Sequence, residues 1–134
     1  MGTSSVSAVL FAKDSHKVAT FYREVMSASL HRSEPGFEVL DCLGFRLVVH
    51  QIPAALAESV EITTPPERRE RTAVRLDFPV RDVEAARRRA KQLGGQIDES
   101  PPPWAAGQQS FFLGYDPEGN VVGVNASGFA VTSA

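Results

Sequence analysis

Few side chains in this sequence are equipped for chemistry, and their surroundings narrow what each can do. His50, in "LVVHQIP", titrates near pH ~6.5 when unperturbed and is the residue best suited to moving a proton. No nucleophile or second base accompanies it at a recognisable spacing. Two roles therefore stand open, a catalytic acid–base group or a hydrogen-bonded lining of a ligand pocket. Arg75 and Asp77 stand two apart in "RLDF", which puts them on one side of a strand. Arg75 there either grips an anionic ligand group through two parallel N–H donors or pairs with Asp77 and props the sheet. Trp104 follows "PPP" in a loop, where an indole ring either stacks on a flat ligand or covers the end of a sheet. Cys42, the only cysteine, reads as a small apolar residue rather than a reactive thiol; standing alone, it excludes an intrachain disulfide and a cysteine-based zinc site. His16 and His31, near the two ends of a predicted helix, are expected to be exposed.

The elements that must position these residues occur twice. When Asp14 is laid over Asp82, "SAVLFAKDSHKVATFYREVM" matches "RLDFPVRDVEAARRRAKQLG" element for element. Each begins with an alternating run, Ala8, Leu10 and Ala12 on one face in the first, Leu76, Phe78 and Val80 in the second, so each predicts a half-buried strand. Each aspartate is placed to cap a helix. Behind it, Val18, Tyr22 and Val25 match Ala86, Ala90 and Leu93 at helical steps, one apolar stripe per helix. Gly94 and Gly95 supply a stop to the second helix. The "RRRAK" run suggests nucleic acid, but Arg87, Arg88, Arg89 and Lys91 lie off the stripe and are expected to form a solvated face. The copies close with "FEVLDCLGFRLVVHQ" and "SFFLGYDPEGNVVGVN", in which Gly44 overlays Gly119. In the second, Asp116, Pro117 and Gly119 have the chemistry of a tight turn between two strands. Repeat one therefore spans about residues 5–52 and repeat two about 72–126. The connector, about 53–71, opens with a possible helical turn at "AALAES".

One strand–helix–strand unit cannot bury a helix and a sheet face alone; two packed together can, leaving a concave sheet surface away from the helices. On strand parity that surface carries Ser7, Val9 and Phe11, then Val48 and His50, with Arg75, Asp77, Gly123 and Asn125 from the second copy. The 14 basic against 16 acidic residues, net −2, give no reason to expect a nucleic-acid partner. The apolar runs are far shorter than a membrane span. The leading "MGTSSVSAV" has no basic flank and no apolar segment, so no secretory signal is expected; its start loosely fits a myristoylation pattern and reads better as a short disordered leader. A cytoplasmic globular domain is the expectation.

The duplicated pattern, carried by "AKDSHKVATFYREVM", "VRDVEAARRRAKQLGG" and "YDPEGNVVGVN", resembles the vicinal oxygen chelate superfamily, which contains glyoxalase I, bleomycin-resistance proteins and extradiol dioxygenases. The likeness covers roughly residues 5–126. It implies an α+β fold in which two βαβββ repeats form a curved mixed sheet with a concave cleft, and a homodimer in which a partner chain sometimes completes the cleft. Metal-using members draw a His or Gln seven residues before the capping aspartate and a Glu four residues past the turn glycine. Here those positions hold Ser7, Arg75, Val48 and Gly123. Valine and glycine have no donor, and arginine repels a cation. Glycine at 123 is expected to leave empty space where a glutamate would project. A two-residue slip brings in only His50 and Asp77 as plausible ligands.

The reading that follows is a binding protein for a small aromatic or anionic molecule, with no cofactor, no metal, and no nucleic-acid or membrane partner. Its expected ligand-binding residues are Ser7, Phe11, His50, Arg75, Asp77, Trp104 and Asn125, with His50 as the candidate catalytic group. Two other classes compete with it. One is a lyase, isomerase or dioxygenase using His50 with or without a metal, and the other a structural or regulatory dimer with no small ligand.

Overall fold

A computed structural model describes residues 6–105, 107 and 110–126; most of the leader lies outside them. The chain divides into two compact units, Met1–Ile62 and Thr63–Ala134, with the boundary inside the connector. Each unit holds one repeat, in the order strand, helix, three strands.

The first unit contains β1 (Ser7–Ala12), α1 (Ser15–Val25), β2 (Ser29–Glu34), β3 (Phe37–Cys42) and β4 (Phe45–Gln51), then a single helical turn, α2 (Ala54–Ala57), at the predicted place. The strands form a mixed sheet in the order β1-β4-β3-β2, with β1 parallel to β4 and the other pairs antiparallel. Asp14 caps α1, its carboxylate accepting from the Lys17 amide at 3.1 Å. The stripe of α1 then buries Val18, Ala19, Phe21, Tyr22 and Val25 against Ala12, Leu40, Leu47 and Val49. Gln51 locks the β1–α1 junction from below: its side chain accepts from the Ser15 amide and donates to the Lys13 carbonyl.

The second unit repeats the plan with β5 (Leu76–Pro79), α3 (Val83–Gln92), β6 (Gln96–Ile97), β7 (Phe111–Tyr115) and β8 (Val121–Asn125), ordered β5-β8-β7-β6. The expected curved mixed sheet is thus built as one four-stranded mixed sheet in each unit. Asp82 caps α3 through the Ala85 amide at 3.0 Å, the counterpart of Asp14. The helix brings only small residues, Ala86 and Ala90, and the sheet supplies the bulk through Phe78, Ile97, Phe112, Val122 and Val124.

The β7–β8 turn is organised by Asp116, which is fully buried and whose carboxylate accepts from the Glu118 and Asn120 amides and the Asn120 side chain. Gly119 is required twice over. Its φ is +86°, and a Cβ there would meet the Glu67 carbonyl at 2.0 Å, because the connector runs beside the turn. Gly44 has the same φ, +86°, in the two-residue β3–β4 turn with Leu43.

One expectation about α3 fails. Arg87 is not part of a solvated face: its side chain is 15% exposed, lies over the Phe112 ring at 5.0 Å and donates to the Ile97 and Asp98 carbonyls as well as to Glu84. β6 is only two residues long, so the backbone beyond it needs donors, and a long side chain beside the apolar stripe reaches them.

Candidate functional site

On the face of the first sheet turned away from α1, strand register sorts the side chains into three rows. Ser7, Arg46 and Asp41 lie side by side in the first, Val9, Val48 and Val39 in the second, and Phe11, His50 and Phe37 in the third. The predicted parity therefore holds, with Ser7, Val9 and Phe11 exposed while Ala12, Leu47 and Val49 are buried beneath α1. In the aromatic row the His50 ring stacks flat on Phe37, centroids 5.8 Å apart and 9° from parallel, and tilts against Phe11, also at 5.8 Å. The Arg32 guanidinium covers Phe37 at 5.3 Å. His50 Nδ1 lies 2.9 Å from the Gln51 carbonyl oxygen. A carbonyl only accepts, so Nδ1 carries the proton and, in the neutral ring, Nε2 carries the lone pair. In the polar row, Arg46 Nε donates to Asp41 at 3.0 Å, with His31 3.5 Å from the same carboxylate.

The corresponding face of the second sheet is already furnished. Arg75 holds Asp77 in bidentate fashion, Nε to Oδ1 at 2.6 Å and Nη2 to Oδ2 at 3.0 Å. Its guanidinium lies 5.2 Å from the Phe111 centroid and 5.6 Å from that of Trp104, and the two rings meet at 5.5 Å. The hydrogen bond to Asp77 raises the Arg75 pKa further, burial pulls the other way and the Asp77 charge adds to the rise, so the group is a permanent cation. Of the two roles open to Arg75, the pairing with Asp77 is the one observed. Trp104 sits in a short 3-10 turn, Pro103–Ala105, and keeps 65% of its surface exposed. Asn125 ends β8 opposite Phe111 and Pro79, half-buried.

Gly123 does not leave empty space. A Cβ there would stand 2.1 Å from Asp77 Oδ1 and 2.9 Å from Phe111 Cζ. The volume a glutamate would enter is taken by the Asp77 carboxylate and the Phe111 ring, because Asp77 directly neighbours Gly123 across the β5–β8 pairing.

The four positions at which relatives hold a metal do not fit one here. Ser7 and Val48 offer at most a hydroxyl, Gly123 nothing, and Arg75 is itself a cation tied to a carboxylate. Among the described residues no three His, Cys, Asp or Glu side chains gather to hold an ion. His50 and Asp77, the pair reached by a two-residue slip, belong to different units, and both Asp77 oxygens already accept from Arg75.

Of the remaining residues, Cys42 is half-buried at the end of β3, and burial together with the neighbouring Asp41 pushes its thiol up to about 11. His16 is 80% exposed, as expected, but Nδ1 lies 3.0 Å from the nearly buried Glu38 carboxylate. A groove of about 520 Å³ runs along α1 and the start of β2, bordered by His16, Arg23, Glu24 and Leu30 and touching none of the predicted ligand residues. Phe37 and Phe111 were absent from the sequence reading. Folding each closing hairpin about its turn would have found both, since Phe37 falls opposite His50 and Phe111 opposite Asn125.

No curated protein matches the chain. Among solved structures it is similar to the fosfomycin resistance protein FosX from Listeria monocytogenes, solved with Mn(II) and a sulfate ion, at 19% identity over 93% of this chain and 89% of that one, TM-score 0.62. A possible glyoxalase from Bacillus cereus is similar at 18% identity, covering 92% and 99% of the two chains, TM-score 0.59. A protein of unknown function from Agrobacterium tumefaciens str. C58 shares 25% identity over 93% and 94%, TM-score 0.60. These likenesses carry the fold. The family model for the glyoxalase-like domain matches residues 7–125, from the first residue of β1 to the last of β8, and the chain belongs to that family.

Proposed function

We propose that this protein binds a small, flat organic molecule on its helix-free sheet faces, without a metal held at the positions its relatives use. The observation that carries this reading is the replacement of ligand chemistry by stacking chemistry. Where donors would stand there are Ser7, Val48, Arg75 and Gly123, and beside them lie aromatic groups accessible to solvent: His50 with Phe11 and Phe37 in one unit, Trp104 with Phe111 in the other. Aromatic surface with a few fixed polar atoms is what recognition of a small planar ligand requires, and it requires no reaction.

A thermal-shift screen of aromatic, thiol and anionic compounds, run with and without divalent metals, tests it. A ligand at a hundred times its Kd stabilises the fold by about 2.7 kcal/mol. Hits among flat compounds that persist in a chelator support the proposal; stabilisation that appears only with added metal overturns it.

A second reading, a metal-dependent lyase, isomerase or dioxygenase working through His50, has one observation in its favour. Nδ1 is fixed on a carbonyl and Nε2 is left with the lone pair, which is how a ligating histidine is commonly held. Asp77, its supposed partner, is occupied by Arg75, and this weighs for the first reading.

A further inference from the structure

Arg75 has five N–H bonds, and Asp77 engages only the Nε proton and one on Nη2. Nη1 has no hydrogen-bond partner among the described residues. The bidentate grip of Asp77 orients the plane of the guanidinium, and Phe111 and Trp104 flank it. Beside it stands Trp104, two-thirds exposed, on a loop stiffened by Pro101, Pro102 and Pro103. A permanent cation with an unspent, oriented donor and an adjoining open indole surface form two halves of one recognition element.

We infer that the second unit binds a planar aromatic monoanion, an aryl carboxylate or phenolate, with its ring on Trp104 and its oxygen at Arg75 Nη1. The inference rests on the binding reading above and deepens it by naming the ligand class. The guanidinium takes the part a metal ion plays in oxygen recognition, holding ligand oxygen by charge and hydrogen bonds instead of coordination. Asp77 has two effects in this arrangement. It fixes the guanidinium, and it consumes part of the charge, so the site is tuned to a single negative charge on a stacked ring rather than to small, strongly hydrated anions.

The probes are 2-naphthoate, its neutral analogue 2-naphthamide, and cyclohexanecarboxylate, titrated calorimetrically into the whole chain. Trp104 is the only tryptophan, so its fluorescence reports whether binding is local. 2-Naphthoate should bind with a change in Trp104 emission, and cyclohexanecarboxylate about tenfold or more weakly for want of stacking. Arg75→Met should weaken 2-naphthoate about tenfold, the scale of one charge-assisted hydrogen bond, and change 2-naphthamide less than about threefold. Asp77→Asn keeps one oxygen acceptor to orient the guanidinium while removing the competing charge, and should tighten 2-naphthoate, which keeps the claim testable even if the Arg75 variant is poorly folded. Equal losses for the acid and the amide in Arg75→Met, or no tightening in Asp77→Asn, overturn the anion site while leaving a binding protein standing. Failure of all three probes and of the whole screen overturns both.

Discussion

The first repeat leaves His50 stacked on Phe37, tilted against Phe11 and open to solvent, whereas the second spends the same side of its sheet on an ion pair, Arg75–Asp77, flanked by Phe111 and Trp104. The scaffolds beneath are alike: capping aspartate, amphipathic helix, a parallel pair and two antiparallel ones, a turn glycine at φ +86°. Sharing a frame thus does not mean sharing a surface. The difference begins with one side chain per strand, Val9 against Asp77 and Val48 against Gly123. The aspartate needs the glycine's missing side chain for room, and once in place it turns Arg75 down onto the sheet. The helices differ in the complementary sense, with α1 filling its core using Phe21 and Tyr22 and α3 supplying alanines for the phenylalanines of its own sheet.

The largest effects should come from exchanging these packing styles. Tyr22→Ala empties a fully buried aromatic site and should cost about 3–5 kcal/mol, whereas Ala90→Leu overfills a tight one and should cost about 1–3 kcal/mol, both measured by denaturant unfolding. A Tyr22 variant no less stable than wild type would break the claim that α1 carries the bulk of its core.

Next comes Gly123→Ala, which should cost about 1–3 kcal/mol by forcing Asp77 and Phe111 aside. That cost should shrink when Asp77 is already alanine, because part of the clash is with its carboxylate. A double-mutant cycle with no coupling would show that the glycine and the ion pair are independent. Smaller and equal effects are expected at the shared caps, where Asp14→Ala and Asp82→Ala should each cost about 1 kcal/mol. Inequality beyond a factor of two would mean that the frames differ more than their geometry shows.

The smallest effect concerns Cys42. With its thiol pushed up to about 11 from an ordinary 9.0, the neutral form is favoured in the folded state. Its contribution is intact below about pH 9 and is lost as pH rises toward 11, because the unfolded chain gives up the proton first. At pH 8 alkylation by iodoacetamide should run up to about a hundredfold slower than in the unfolded chain. Equal rates would show the thiol to be unprotected.

Much of the frame was legible in the sequence because caps, stripes and alternation are local signals. Asp14 and Asp82, the buried faces of α1 and α3, and the outward parity of Ser7 and Phe11 follow from spacing alone. The illegible parts involve side chains that leave the direction their backbone gives them. Alternation places Arg75 and Gly123 on the same face, but not that Asp77 and Phe111 fill the gap over the glycine. Helical phase places Arg87 beside the stripe, but not that its length lets it reach the Ile97 and Asp98 carbonyls. The stack of His50 on Phe37 lies between these cases, because a two-residue turn at Leu43 and Gly44 sets the hairpin register that puts the two residues opposite each other.

The central claim, recognition of a flat ligand without a bound metal, is tested most directly by elemental analysis of the purified protein together with titration of one confirmed ligand in chelator and in added Mn(II). The account predicts no zinc, nickel, manganese or iron in stoichiometric amount and the same Kd in both buffers. A tightly held equivalent of metal per chain, or binding that vanishes in chelator, would contradict it.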